Sequence, residues 1–187
     1  IFREIIGEKF DSSKIGEDLG EQYYLMQTYF KFYPFCRFCH SPIDAILDLK
    51  SKEDFSLDLI DTVNVYTYSL ASRLNKQNVC NEFAGKFSIP YAVASVLVEA
   101  DRDQTLESES LDAKVTSLSK KIYVFEDKKL TELLPYQRNS KVELVLKNGK
   151  TIISYAQGAK GDHDTKDLEE KVIFKCKAML TSVVGEK

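Results

Sequence analysis

The stretch KVELVLKNGKTIISYA, residues 141–156, decides the fold class because it predicts a β-hairpin. Two runs of residues that favour strands flank the pair Asn148-Gly149. That pair is the one most suited to a type I′ turn between antiparallel strands. The sequence therefore predicts two adjacent antiparallel strands near its C-terminal end.

Further strands are predicted on the N-terminal side of the hairpin. LIDTVNVYTYS, residues 59–69, alternates apolar and polar side chains as a half-buried strand does. KIYVFED, residues 121–127, also has the composition of a strand. YYLMQTYFKFY, residues 23–33, is rich in aromatic residues and predicts a strand that ends at Pro34.

Helical patterns separate these strands. Four helices are predicted, at residues 41–50, 89–98, 110–121 and 165–187. The second is apolar almost all round and is therefore expected to be buried, with Ser88 as its N-cap and Pro90 in its first turn. The last is amphipathic, with Thr165 as its expected N-cap and acidic residues in the first turn.

Strands and helices follow one another without regular β-α alternation. This order favours an α+β layer structure over a doubly wound parallel sheet. We therefore expect a mixed sheet that contains the β-hairpin and is packed against helices. A chain of 187 residues is long enough for one sizeable hydrophobic core.

Composition excludes several classes of protein. The formal net charge is -3, which gives no broad positive field for nucleic acid. The longest apolar stretches, such as residues 89–98, are far shorter than the roughly 20 residues that span a bilayer. IFREIIGEKF, residues 1–10, lacks the pattern of a secretory signal, and the four cysteines form no dense disulfide framework. A cytoplasmic setting without membrane or nucleic-acid partners is predicted.

The segment CRFCH, residues 36–40, matches the C-x-x-C-H pattern of covalent haem attachment and half of many zinc sites. Haem attachment requires an export compartment, for which no signal is visible. A zinc site requires two more ligands, yet Cys80, His163 and Cys176 are each isolated in the sequence. We predict no metal and no cofactor. Reactive thiols stay possible because both motif cysteines precede a helix, and small buried cysteines are the simpler alternative.

Residues 31–45, written K-x-Y-P-x-C-R-x-x-H-x-x-I-D-A, resemble the central motif of the MmgE/PrpD family. This family includes 2-methylcitrate dehydratase, cis-aconitate decarboxylase and an iminodisuccinate epimerase. Four later segments resemble further family segments in the same order: FSIPYAVASVL at 87–97, LVLKNGKTI at 144–152, AKGDHDT at 159–165 and LEEKVIFKC at 168–176.

The resemblance also implies a domain organisation. Family members are typically more than twice as long, and this chain resembles their second half, which includes a small α+β lid domain. Residues 1–10 are then the end of a linking helix, and residues 11–164 the lid-type domain. Residues 165–187 form a helix that leads back toward an all-helical domain.

The resemblance further implies site residues. Lys31, Tyr91 and His40 are the expected catalytic residues, and Cys36 and Arg37 are the expected substrate-binding residues. Elimination of water from a polycarboxylate requires cations for the carboxylates and groups that transfer protons, which suits lysine, arginine, tyrosine and histidine. Each role has a structural alternative: His40 as a cap of the helix at 41–50, and Tyr91 as a core aromatic residue.

The resemblance leaves two functions to compare. The first is the lid half of a cofactor-independent lyase that dehydrates 2-methylcitrate or a related polycarboxylate, as a homodimer of the full-length protein. Cys36 favours a dehydratase because decarboxylase-type members can carry histidine there. The second is a non-catalytic binding or assembly module that retains the lid fold. In either case we expect the isolated chain to be inactive.

Overall fold

The computed structural model of the protein describes residues 11–102 and 113–185. The four strands are β1 Ile60–Thr67, β2 Ile122–Glu126, β3 Ser140–Leu146 and β4 Thr151–Ala156. The α-helices of this part of the chain are α1 His40–Lys52, α2 Ser69–Ser72, α3 Glu82–Gly85, α4 Ile89–Arg102, α5 Ala113–Ser119, α6 Lys128–Glu132 and α7 Leu168–Val184. Short 3-10 turns cover Ser12–Ile15, Tyr24–Gln27, Arg37–Cys39 and Leu57–Leu59.

The strands form one mixed sheet in the order β2-β1-β3-β4. β1 runs parallel to β2 and antiparallel to β3, and β3 pairs antiparallel with β4. The predicted α+β class, with a mixed sheet, a hairpin and packed helices, is confirmed. The parallel pair is possible because the long segment between β1 and β2 returns the chain to the same end of the sheet.

The hydrophobic core lies between one face of the sheet and helices α1 and α4. Helix α1 contacts β3, β4 and α4, whereas α4 contacts β2 and α5. Alternate residues of β3 are buried, as expected for a strand with one covered face. Val63, Leu144 and Ile46 are among the fully buried side chains that these elements contribute.

Helix α4 is buried along most of its length, as its continuous apolar pattern predicts. The predicted N-cap is also present, because Oγ of Ser88 accepts a hydrogen bond from the backbone N–H of Tyr91 at 3.1 Å. Pro90 lies in the first turn, where a missing N–H costs little.

The hairpin turn differs from the predicted type I′. That turn requires positive φ at two residues, but within the loop only Gly149 has one, at 83°. The N–H of Gly149 donates to the carbonyl of Leu146 at 2.8 Å, and the N–H of Leu146 donates to the carbonyl of Lys150 at 2.9 Å. The loop therefore has three residues, with glycine at the left-handed position.

The strand predicted for residues 23–33 is wrong. This segment contains the 3-10 turn Tyr24–Gln27 and an irregular stretch that joins no strand of the sheet. Its backbone is held instead by the N–H of Phe30, which donates to the carbonyl of Gly161 at 2.9 Å. Strand propensity was overridden because Tyr29 and Tyr33 form side-chain hydrogen bonds with helix α1.

The C-terminal helix begins later than predicted. Helix α7 starts at Leu168, after Asp167 in a left-handed conformation with φ of 58°, so Thr165 is not its N-cap. The N–H of Thr165 donates instead to the carbonyl of Asp162 within a turn. The predicted linking helix at residues 1–10 lies outside the described residues.

Among the described residues, no helix combines the length and the apolar character needed to cross a membrane.

Candidate functional site

The motif loop, residues 29–39, is fixed to helix α1 by a set of polar contacts. The hydroxyl of Tyr33 donates to Oδ1 of Asp44 at 2.6 Å. Oδ2 of the same carboxylate accepts the backbone N–H of Lys160 at 2.8 Å. Asp44 is buried, so these donors offset the cost of removing its charge from water. Asp44 thereby joins the motif loop to the loop at residues 157–165.

His40 begins helix α1 and is only 1% exposed. Its Nε2 lies 3.2 Å from the carbonyl oxygen of Phe35, and its Nδ1 lies 2.5 Å from the hydroxyl of Tyr29. Because a carbonyl only accepts, Nε2 carries the hydrogen and Nδ1 accepts the one from Tyr29. Both ring nitrogens therefore form hydrogen bonds with residues of the motif loop. This arrangement is typical of a histidine that positions a loop.

Burial lowers the pKa of His40 below its ordinary value. The charges of Lys31 and Arg37 act in the same direction, whereas Asp44 and the Phe35 carbonyl oppose them. His40 is therefore held as the neutral imidazole. Its predicted part in catalysis stays a prediction.

Arg37 lies in the 3-10 turn that precedes helix α1. Its guanidinium lies 4.2 Å from the ring centre of Tyr29 and forms an ion pair with Oδ1 of Asp162. Its Nε is buried and has no hydrogen-bond partner in the described part of the chain. The side chain thus connects the motif loop with the loop at 157–165, as Asp44 does.

The two cysteines of the motif differ in environment. Cys39 is fully buried, and burial raises the pKa of its thiol, so a reactive thiolate is disfavoured there. Cys36 is half-buried, and neither cysteine forms a disulfide. Among residues 11–102 and 113–185, no group of three or more His, Cys, Asp or Glu side chains is arranged to hold a metal ion.

The structure places the motif loop beside the segment that precedes Tyr91. The backbone N–H of Cys36 donates to the carbonyl of Lys86 at 2.7 Å. The next residue back, Gly85, lies so close to the ring of Tyr91 that a Cβ there would be 2.7 Å from two ring carbons. Tyr91 itself is only 6% exposed. Two segments separated by about fifty residues in sequence therefore meet.

Lys31 is exposed, and its ammonium has no ion pair within the described ranges. Its positive charge opposes the rise that burial causes in the pKa of Cys39 and adds to the lowering of the pKa of His40. The backbone carbonyl of Lys31 accepts a hydrogen bond from Nζ of Lys175, which attaches helix α7 to the motif loop. Within residues 11–102 and 113–185, Lys31 is thus a cation without an ion pair at the edge of this region.

A polar cleft of about 590 Å³ lies where the motif loop meets the loops at 133–139 and 157–165. The side chains that line it include Tyr29, Arg37, Tyr136, Arg138, Asp162 and His163. Of the five predicted site residues, only Arg37 lines this cleft; Lys31, Cys36, His40 and Tyr91 do not. Sequence reasoning missed Arg138 because the surrounding LPYQRNS carries no recognisable motif.

The sequence pattern of the MmgE/PrpD C-terminal domain matches residues 33–187. The chain belongs to the MmgE/PrpD family. The match includes the buried Asp44, the segment around Tyr91 and the loop at 157–165, which are the parts that the structure brings together. A search among curated proteins found no relative that matches the chain.

The MmgE/PrpD match begins at Tyr33, so Lys31 and Tyr29 precede it. The assignment of Lys31 to the site therefore rests on the motif resemblance of residues 31–45, whereas that of Tyr29 rests on geometry. Tyr29 contacts both Arg37 and His40, and the charge of Lys31 acts on the same histidine. Tyr29 thus lies against matched residues of the MmgE/PrpD domain.

Proposed function

We propose that this chain supplies the lid side of the active site of a cofactor-independent lyase of the MmgE/PrpD type. The proposed reaction is the dehydration of 2-methylcitrate or a related polycarboxylate. The supporting observation is the contact between the motif loop and the Tyr91 segment, through the hydrogen bond from Cys36 to Lys86. That hydrogen bond supports the proposal because it places the loop that carries Cys36 beside the segment that precedes Tyr91.

Each residue has a distinct role in this proposal. In a dehydration, a base takes a proton from carbon and the hydroxyl leaves as water after gaining a proton from an acid. The ammonium of Lys31 holds a substrate carboxylate, and the phenol of Tyr91 donates a hydrogen bond or proton to the leaving hydroxyl. Cys36 and Arg37 line the substrate site, while further groups come from the helical half that family members carry.

His40 acts in this proposal through the motif loop. With both ring nitrogens bonded to Phe35 and Tyr29, it fixes the backbone on which Cys36 and Arg37 stand. Preorganisation of this kind supports catalysis because misplaced groups lose transition-state stabilisation. We propose His40 as a positioning residue for the elimination step.

A non-catalytic binding or assembly module is the second candidate. It is favoured by helix α7, which exposes the apolar side chains Ile173, Phe174, Met179 and Leu180. Exposed apolar residues on one helix mark a surface that contacts another protein body. A lid domain that packs on a helical half would expose the same apolar surface when that half is absent. An activity assay is therefore needed to distinguish the two candidate functions.

The test is a 2-methylcitrate dehydration assay on the full-length protein, followed through the ultraviolet absorbance of the new double bond. Lys31→Ala is expected to lower kcat/KM by about 100-fold or more, because it removes the cation proposed to hold a substrate carboxylate. Lys120→Ala, at another exposed lysine, is the matched control and keeps full activity. An active Lys31→Ala enzyme would refute the role of Lys31, and an inactive full-length protein would favour the binding module.

A further inference from the structure

The polar cleft has the dimensions and the walls of a ligand site. Its volume of about 590 Å³ falls in the range of small-molecule pockets. One wall is the loop at 133–139, a second is the loop at 157–165, and the third is the motif loop with Tyr29 and Arg37. Side chains of three chain segments therefore converge on one concave surface.

The walls of the cleft are held in place by their own hydrogen bonds. Oδ1 of Asn139 accepts the backbone N–H of Gly158 at 2.9 Å, and its Nδ2 donates to Oε1 of Gln137 at 2.9 Å. Oδ2 of Asp162 accepts the N–H of Ala159 at 2.9 Å. Asn139 is buried, so these bonds are shielded from competition by water. The cleft is thus preformed, which lowers the cost of binding a ligand.

The charged side chains that line the cleft differ in whether they already have a partner in the protein. The carboxylate of Asp162 is taken up by the Arg37 ion pair and by a backbone N–H. Asp164 and His163 are exposed to solvent. Arg138 is half-buried and has no ion pair or side-chain hydrogen bond in the described part of the chain.

Arg37 and Arg138 line the same cleft. Both guanidinium charges act on the buried hydroxyl of Tyr68, where they oppose the rise in its pKa that burial causes. Two guanidinium groups line this cleft, and that of Arg138 has no ion pair within the described residues, so the arrangement suits an oxyanion. Gln137 and Gln157 also line the cleft.

We propose that this cleft binds a small molecule through an oxyanion group, a carboxylate or a phosphate, which Arg138 and Arg37 hold together. The amide side chains of the cleft contact the polar remainder of the molecule. The inference rests on the cleft alone and holds whether or not Lys31 takes part in a lyase reaction.

Isothermal titration calorimetry on the full-length protein tests the proposal with three probes. Citrate represents carboxylates, pyrophosphate represents phosphates, and triethyl citrate is the uncharged control of similar shape. We expect citrate or pyrophosphate to bind and triethyl citrate not to bind, and the tighter of the two anions identifies the source of the oxyanion. Absence of binding by both anions would overturn the proposal.

Variants of the protein test which residues bind the anion. Arg138→Gln is expected to raise the Kd of the bound anion at least 10-fold, whereas Arg73→Gln, at an exposed arginine, leaves it unchanged. Lys31→Ala retains anion binding in the cleft, which separates this inference from the lyase proposal. Loss of binding in Lys31→Ala together with full binding in Arg138→Gln would contradict it.

Hydrogen exchange on the wild-type protein gives a readout that does not depend on the folding of a variant. The bound anion is expected to slow exchange at backbone amides of residues 133–139 and 157–165, because these loops form two walls of the cleft. Protection confined to other segments would place the anion elsewhere and overturn the proposal.

Discussion

The phenolic oxygen of Tyr29 lies 2.5 Å from Nδ1 of His40. This hydrogen bond attaches a segment without regular secondary structure to the first residue of helix α1. The same tyrosine ring contacts the guanidinium of Arg37, so one aromatic side chain supports two residues of the family motif. The geometry of the motif loop therefore depends on a residue that precedes the matched family pattern.

Replacement of Tyr29 by phenylalanine is expected to destabilise the protein by about 1–3 kcal/mol. The change leaves Nδ1 of His40 buried without a donor while it preserves the ring that contacts Arg37. Urea denaturation of both proteins measures the difference. Tyr24→Phe, at an exposed tyrosine, is the matched control and changes the free energy of unfolding little. Equal stability of Tyr29→Phe and wild type would show that the hydrogen bond contributes nothing.

Stability is expected to fall as the pH is lowered below the ordinary His40 pKa of 6.5. Burial lowers the pKa of His40 in the folded protein, so below 6.5 the unfolded chain binds a proton that the folded chain does not. The contribution of neutral His40 to the free energy of unfolding is fully present above pH 6.5. It is lost as the pH falls from that value to the lowered pKa, and the free energy of unfolding changes by up to ~1.4 kcal/mol per pH unit.

The comparison that isolates this effect is His40→Gln, measured by urea denaturation across the same pH range. The variant keeps a polar side chain but has no imidazole to titrate, so its free energy of unfolding should depend less on pH in this window. Identical pH dependence in variant and wild type would contradict the assignment of His40 as the titrating group.

Gly161→Ala is expected to lower the free energy of unfolding by about 1–3 kcal/mol. A Cβ at this position would lie 1.8 Å from the backbone oxygen of Phe30, so the two loops must separate. Gly16→Ala, where a Cβ meets no atom within 4 Å, is the control and should be close to neutral. Thermal unfolding of both variants measures the difference. Wild-type stability in Gly161→Ala would mean that the two loops separate without cost.

The four cysteines are expected to react with an alkylating reagent at very different rates. Cys80 and Cys176 are exposed and should be modified first, whereas Cys39 is fully buried and should react only when the protein unfolds. Burial also raises the pKa of the Cys39 thiol, which reduces its thiolate fraction further. Peptide mass spectrometry after timed alkylation measures each rate. Rapid modification of Cys39 in the folded protein would contradict its burial.

The local sequence pattern was sufficient to predict the helices and strands that have a strong hydrophobic periodicity. The continuous apolar run at residues 89–98 predicted a buried helix, and the alternation at 59–69 predicted β1. The prediction failed at residues 23–33, where aromatic composition suggested a strand. Side-chain hydrogen bonds from Tyr29 and Tyr33 to helix α1 decided that conformation, and no local propensity contains them.

The sequence by itself determined the fold class, the family motif and the identity of the candidate residues, because hydrophobic period and residue order are local properties of the chain. Only the tertiary structure placed Cys36 against Lys86, engaged both nitrogens of His40 and brought Arg138 into the same cleft as Arg37. These contacts join residues that are far apart along the chain. They form only when the sheet and helices bury a common core, so the packing of the whole chain decides them.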